Sequence, residues 1–378
     1  MVRYKGGFVR EPKAGIFKNI IVLDFKNLYP SIIVTHNIDV KTMNCKHREC
    51  KKNKVPGFNR WFCLKKEGKI PKKEKKILKD RDEALKKLKK DPKNEKLKKR
   101  IDSLKLAANI TYGYFGYKGS PYYNVKAAES ISAFGRYYIQ KTIKEAEKDK
   151  FKVLYADTDS VFLTDSQRKA KTFLNKINKK LPGIIKLEFR GLYKKGMFVS
   201  RKTGVGAKKK YALIDKKGNL LVRGFETRRE DWCTLAKNVQ KEVLKLILQE
   251  KGNKAVKYVK NVVSNLKKGK VKYNDLIIKV QLAKPLHKYK AIGPHILVAR
   301  KLKSKGKKVE QGMMINFVIT KGKGSISERA EPAEYAKLKD IDFVYYINHQ
   351  IIPSALRGLS VLGVNEDQLL GQETLKKG

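Results

Sequence analysis

Short apolar runs and long helical stretches divide this chain between them. Two β-prone runs, Lys152-Val153-Leu154-Tyr155-Ala156 and Ser160-Val161-Phe162, flank Asp157-Thr158-Asp159. That pattern predicts a hairpin with carboxylates at its tip. Asp157 and Asp159 are two apart, so extended geometry turns both to one face, where like charges repel unless a multivalent cation lies between them. Asp-Thr-Asp is also ordinary turn chemistry, so the motif alone leaves both readings open.

Elsewhere, residues 19–25 form an apolar run ending in Asp24-Phe25, which fits a buried strand. Pro30 stops any strand there, and the apolar residues that follow suit a short packed helix. From residue 73 to about 113 the period becomes helical, through Ile77, Leu78, Leu85 and Leu88, then Leu97, Ile101, Leu104 and Ala108. Asp91-Pro92 between them reads as an N-cap with Pro at the first helical position, giving a helical hairpin. Amphipathic helices are expected over about 127–148, 168–181 and 232–249, and further strands over 184–189 and after 208.

Composition adds a partner class. Lys and Arg number 89 against 36 acidic residues, a net charge of +53, while 41% apolar content rules out a disordered tail. Such an imbalance calls for a polyanion, and nucleic acid is the default. The N-terminus has no apolar signal core and no run approaches the ~18 apolar residues of a span, so a cytoplasmic, nucleoid-associated protein without membrane contact is expected. Residues 36–72 are irregular and hold Cys45, His47, Cys50 and Cys63. These could supply the four donors of a zinc site, but their spacing is not a regular double C-x-x-C, which favours free thiols or a disulfide between two of them.

Three features suggest nucleotide and backbone contacts. Lys105, Asn109 and Tyr112 fall at i, i+4 and i+7, a cation, an amide and a ring on one helix face, and Gly113 beside them allows close approach. Lys208-Lys209-Lys210-Tyr211 is a basic lead into a strand. Lys284-Pro285-Leu286-His287-Lys288-Tyr289-Lys290 interleaves cations with an aromatic. His287 and His295 read as packing or phosphate-contact residues, and Gly204-Val205-Gly206 as a flexible connection.

Together, Asp24-Phe25-Lys26-Asn27-Leu28-Tyr29-Pro30-Ser31-Ile32-Ile33, Lys105-x-x-x-Asn109-x-x-Tyr112-Gly113 and Tyr155-Ala156-Asp157-Thr158-Asp159-Ser160 resemble, in order, the three polymerase motifs of family B DNA polymerases. The archaeal replicative type is the most similar. Tyr4-Lys5-Gly6-Gly7 resembles the family's Y-x-G-G linker, Lys208-Lys209-Lys210-Tyr211 its K-K-x-Y motif, and residues 284–302 its thumb. The resemblance implies an α+β right-hand fold: palm over 1–36 and 111–222, fingers with the preceding cysteine segment over 37–110, and a mostly helical thumb over 223–378. It implies DNA-templated addition of dNTPs to a primer by two-metal-ion transfer. Asp24, Asp157 and Asp159 would be catalytic, and Asp24, Phe25, Asp159 and Glu188 would hold two Mg²⁺, with Mn²⁺ able to substitute. Leu28, Tyr29, Arg81, Lys105, Asn109, Tyr112 and Thr158 would meet the nucleotide, Tyr29 excluding a 2′-hydroxyl. Tyr4, Gly6, Gly7, Lys208, Lys209, Lys210, Tyr211, Lys284, Tyr289 and Lys290 would meet primer-template DNA.

There are departures from that pattern. Ile110-Thr111 replaces Ser and an aromatic, Leu85 stands where a second triphosphate-binding Lys is typical (with Lys86 next to it), and the 201–207 connection is long. Gln372-x-x-Leu375 starts like a sliding-clamp peptide but lacks its paired aromatics. The chain opens at the linker, so a split polymerase with a separate exonuclease-bearing partner, or a fragment, is expected, unable to proofread alone. The competing readings are a catalytically idle DNA-binding scaffold and a reverse transcriptase. An idle palm would be free to lose Asp24, Asp157 or Asp159, and reverse transcriptases typically have adjacent aspartates where Thr158 intervenes here.

Overall fold

The uncharged run Ile20-Ile21-Val22-Leu23 forms the middle of β2 (Gly15–Phe25), with Ile20, Ile21 and Leu23 fully buried. A computed structural model describes residues 4–164, 167–200 and 206–370. Gly204 and Val205, residues 201–205 of the long connection, and the tail with Gln372, Leu375 and Lys376-Lys377-Gly378 lie outside them. The chain divides into two compact units, Met1–Pro12 with Lys18–Tyr193, and Lys13–Phe17 with Lys194–Gly378.

In the first unit, β1 (Val9–Arg10), β3 (Lys152–Asp157), β4 (Ser160–Thr164) and β2 lie side by side in the order β1-β3-β4-β2, all antiparallel. The predicted central hairpin is therefore β3–β4. Helices α1 (Leu28–Thr35), α4 (Val125–Lys148) and α5 (Gln167–Lys180) build the core with it. Ile131, Phe134, Ile139 and Ile143 of α4 join Leu23, Ala156, Val161 and Leu163 of the strands and Phe173 and Ile177 of α5. Each such side chain contributes roughly 1.5–3 kcal/mol on burial. His36 ties α1 to α4: Nδ1 donates to Asn53 Oδ1 (2.6 Å), Nε2 accepts from the Tyr138 hydroxyl (2.7 Å), and the ring stacks on Phe134 at 3.7 Å. Burial lowers its pKa to about 4, so it stays neutral.

The helical hairpin is α2 (Lys69–Lys90) and α3 (Glu95–Gly116). Its turn differs from the Asp91-Pro92 expectation. Asn94 is the N-cap, its side chain accepting from Leu97 N at 3.0 Å, while Asp91 closes α2 and accepts from Asn94 Nδ2 at 2.9 Å. An Asn that can reach the first-turn amide starts the helix three residues later than the Pro signal indicated.

The second unit continues β5 (Leu187–Ser200), which starts in the first, into antiparallel pairing with β6 (Gly206–Ile214) and β7 (Leu220–Arg223). Its core joins α6 (Thr234–Leu248), α7 (Gly252–Lys267), α8 (Tyr273–Leu276) and α9 (Pro294–Ser304) to β8 (Ile278–Gln281), β9 (Met314–Ile319) and β10 (Ala330–Pro332). α10 (Phe343–Tyr346), a π turn over Ile347–Ile351, α11 (Ile352–Leu359) and α12 (Glu366–Leu370) complete it. The β10-β9-β8 sheet is an addition to the helices read from the sequence. Among the described residues, no helix is long and apolar enough to cross a membrane.

Glu74 on α2 is 1% exposed, and neither carboxylate oxygen has a hydrogen-bond partner. The nearby Thr111 hydroxyl proton goes to Ala107 O at 3.1 Å. Burial pushes the Glu74 pKa up to about 7. Its charge therefore costs nothing below the unfolded pKa and the full penalty above about pH 7. Glu74→Met should stabilise the protein in urea unfolding, by ~2–3 kcal/mol more at pH 8 than at pH 5. A gain independent of pH would contradict a buried carboxylate that ionises late.

Candidate active site

Strand register brings the acidic residues together. Antiparallel pairing sets Asp24 of β2 opposite Ser160 of β4, and Asp157 of β3 opposite the same Ser160. Asp159 lies in the turn, where its carbonyl accepts from Phe25 N at 2.8 Å. The turn itself departs from expectation. Thr158 has φ 59°, and Asp159 N donates to Asp157 O at 2.6 Å, so the backbone between the two aspartates is not extended. The same-face argument from alternation fails there, and the neighbour that matters most to Asp159 is Asp24. Left-handed Thr costs roughly 1–3 kcal/mol. It is held by Thr158 N donating to Phe8 O (2.8 Å) and Thr158 Oγ1 to Asp157 Oδ1 (3.1 Å). A Cβ on Gly7 would come within 2.9 Å of the Thr158 side chain and 3.0 Å of the Tyr29 hydroxyl, so glycine is required for this packing.

Burial, then the charge of Asp24, then Asp157, raises the Asp159 pKa to about 6. Burial raises Asp24 as well, and Glu188 adds to it, while Arg190 and Lys105 pull the other way. Glu188 sits on β5, whose approach is fixed by Lys26 N donating to Lys186 O at 2.8 Å. Arg190 Nε donates to Asp24 Oδ2 at 3.3 Å. Arg190 escaped the sequence reading, although Glu188-Phe189-Arg190 alternates along a strand and so turns both charges to one face. Asp24 thus acts on Asp159 and Glu188 on Asp24, and carboxylate oxygens are the donors that hard divalent cations take.

Beside the carboxylates lies an aromatic floor. Tyr29 and Tyr112 pack with centroids 4.5 Å apart. The Tyr112 hydroxyl bonds Ser132 Oγ at 2.9 Å and the Tyr4 hydroxyl at 3.2 Å. A Cβ on Gly135 would strike Tyr29 Cε1 at 2.9 Å, so α4 closes tightly against that ring. Arg136 donates to the carbonyls of Lys5 (2.5 Å) and Gly6 (2.8 Å), fixing the linker-like segment before β1. Ser132, Gly135 and Arg136 were also missed; their i, i+3, i+4 spacing on one helix face was the available signal.

The remaining candidates fall as follows. Lys105 and Asn109 are exposed on α3, and Lys105 is near enough to influence Asp24. A Cβ on Gly113 would meet nothing. Arg81 Nη1 donates to Asn27 Oδ1 at 3.0 Å while its Nε is buried without a partner. Phe25 and Leu28 are buried at 1% and 3%, which leaves only their backbones for a ligand. In the second unit Lys208 and Lys209 are exposed, and Lys210 is engaged with Glu226 Oε1 (3.1 Å) and the Phe225 ring. Tyr211 packs on Phe198, and Lys284 N donates to the Tyr289 hydroxyl at 3.1 Å, with Lys284 and Lys290 exposed. Cys45, Cys50 and Cys63 are free thiols, one of the two states expected of them, and folding of the 36–66 segment makes them converge with His47.

A family model described as DNA polymerase family B matches residues 1–362. The chain belongs to that family. A DNA polymerase from Pyrococcus glycovorans is 42% identical over 99% of this chain, and one from Thermococcus gorgonarius 41% identical over 99%. Each match covers 49% of the relative, so the chain spans about half the length of the curated relatives it matches. The structure of a family B DNA polymerase from Pyrobaculum calidifontis superposes with a TM-score of 0.70 at 35% identity, covering 96% of this chain and 48% of that one. The family's α+β fold with an antiparallel sheet is the fold described above.

Repulsion at the carboxylates predicts a stability cost in chelator-treated protein. Asp159→Asn should raise stability at pH 8 by about 1–2 kcal/mol, with the gain fading as pH falls from about 6 and gone below the unfolded pKa near pH 4. Asp24→Asn should give an overlapping gain, the double variant adding less than the sum. Additive gains in urea titrations would mean the two groups do not share one field.

Proposed function

We propose that this chain carries out template-directed DNA synthesis, adding dNTPs to a primer 3′ end by two-metal-ion nucleotidyl transfer. The observation that carries the reading is the β2–β4 register, which sets Asp24 beside Asp159 within reach of Lys105. Asp24 and Asp159 would hold two Mg²⁺, with Asp157 and Glu188 in support and Mn²⁺ as a substitute. Bound there, the ions would lower the pKa of the primer hydroxyl and neutralise charge on the leaving pyrophosphate. Lys105 and Arg81 would take the triphosphate, and Asn109, Tyr112, Thr158 and the Leu28 backbone would position the nucleotide. Tyr29, wedged between Tyr112 and Gly135, cannot retreat from a sugar, which suits exclusion of a 2′-hydroxyl.

In this reading the β3–β4 region is palm, the α2–α3 hairpin fingers, and the part after about residue 223 thumb. Tyr4, Gly6 and Gly7, with Lys208, Lys209, Lys210 and Tyr211, would grip DNA, as would Lys284, Tyr289 and Lys290. One observation favours the idle-scaffold alternative, namely that Arg190 already neutralises part of Asp24. That pair is half-exposed, though, and exposed pairs contribute at most about 1 kcal/mol, so a divalent cation displaces it easily.

Primer extension on a DNA template with Mg²⁺ separates the two. Wild type should incorporate dNTPs, Asp24→Asn and Asp159→Asn should lose on the order of 10³-fold or more, and Arg190→Ala should retain activity. No incorporation by folded, DNA-binding wild type would support the scaffold. Tyr29→Ala should reduce discrimination against ribonucleotides by roughly 10–200-fold; unchanged discrimination would remove Tyr29 from the sugar site.

A further inference from the structure

The 36–66 segment is folded in a way its irregular sequence conceals. Isolated bridges pair Met43 with Phe62 and Lys54 with Trp61, and Cys63 N donates to Thr42 O at 2.8 Å. The Met43–Phe62 bridge sets the Cys45 side of the loop against Cys63. A 3₁₀ turn over Arg48–Asn53 then swings Cys50 back towards both. As a result one ligand atom from each of Cys45, His47, Cys50 and Cys63 lies within 4.8 Å of all the others. Cys50 and Cys63 are buried at 0% and 2%, and none of the three thiols is in a disulfide.

We propose that Cys45, His47, Cys50 and Cys63 bind one Zn²⁺ as a closed, tetrahedral, structural site. Three observations support a metal over idle thiols. First, His47 Nδ1 lies 3.5 Å from Cys63 Sγ. A tetrahedral ion with Zn–S about 2.3 Å and Zn–N about 2.05 Å sets that edge at about 3.5 Å. Second, backbone amides are aimed at sulfur: Leu64 N donates to Cys50 Sγ at 3.2 Å and Lys66 N to Cys63 Sγ at 3.4 Å. Amides in that position stabilise metal-bound thiolates, as outer-shell partners of a metal do. Third, three thiolates and one neutral imidazole leave a net charge of about −1 on the complex, in a loop crowded with Lys46, Arg48, Lys51, Lys52, Lys65 and Lys66.

The site sits at the root of the α2–α3 hairpin. Asn37 Nδ2 donates to the carbonyls of Cys63 (2.6 Å) and Lys66 (2.7 Å), and its Oδ1 accepts from Gly68 N at 2.8 Å. Asp39 Oδ2 accepts from Ile70 N at 3.0 Å, inside the first turn of α2. An ion holding Cys63 thus fixes the chain just before this helix begins.

The test uses the whole chain, purified without chelator and analysed for metal by mass spectrometry, then reconstituted with Co²⁺ after zinc removal. The expected result is one zinc per chain, and with cobalt the intense visible bands of a tetrahedral thiolate site. Cys45→Ser and His47→Ala, at partly exposed positions, should lower zinc content at least 10-fold while the protein remains folded by circular dichroism. Cys233→Ser, in the other unit, should leave it unchanged. Absence of stoichiometric metal after reconstitution with Zn²⁺, octahedral cobalt bands, a Cys50–Cys63 disulfide on peptide mapping, or undiminished zinc in Cys45→Ser and His47→Ala would overturn the proposal. None of these readouts requires nucleotide incorporation, so the outcome is separate from that of the proposed function.

Discussion

Two carboxylates that would rather be apart are held together by strand pairing. Asp24 ends a buried strand, Asp159 sits in a strained turn, and a single amide, Phe25 N on Asp159 O, locks one to the other. Register makes this demanding. A slip of one residue between β2 and β4 would take Asp24 out of its pairing with Ser160, next to the acidic turn. The apolar face of β2, with Ile21 and Leu23 fully buried, therefore protects the chemistry as well as the fold. The energy of that core supports a local arrangement that is unfavourable on its own, and that the proposed cations would relieve.

The aromatic floor follows the same logic of close support. Tyr29 is fixed from three sides by Tyr112, by α4 at Gly135 and by the Gly7–Thr158 contact. Tyr112 is in turn held by Ser132 and Tyr4. In the proposed role of sugar discrimination such close support would serve Tyr29, since any give would admit the larger ligand. The same α4 turn supplies Arg136, which pins the carbonyls of residues 5 and 6 and so orients Gly7. One helix face thus organises the linker, the ring and the acidic turn.

Much of this was legible from residue order alone. The hairpin, the helical pair and the buried strand follow from periodicity, because each has a clean period and charged or breaking residues at its ends. Three things were not. Left-handed Thr158 replaced the expected extended spacing, because the tertiary bond to Phe8 and the side-chain bond to neighbouring Asp157 outweigh the backbone preference. Asn94 displaced Asp91 as a cap, since two capping residues three apart compete and geometry chooses. The convergence of Cys45, His47, Cys50 and Cys63 was hidden because β-bridges between residues far apart in sequence bring it about, and spacing along the chain carries no trace of them. Arg190 was half legible: alternation puts it on the face of Glu188, but its partner Asp24 lies on another strand.

The account stands or falls on whether Asp24 and Asp159 act as one cation site. Mn²⁺ binding, read by electron paramagnetic resonance in wild type, Asp24→Asn, Asp159→Asn and the double variant, tests this directly. Each single variant should lose nearly all of the tight binding, with the double variant scarcely worse than either. Independent, additive losses, or binding unchanged in Asp24→Asn, would show that the two carboxylates do not share an ion.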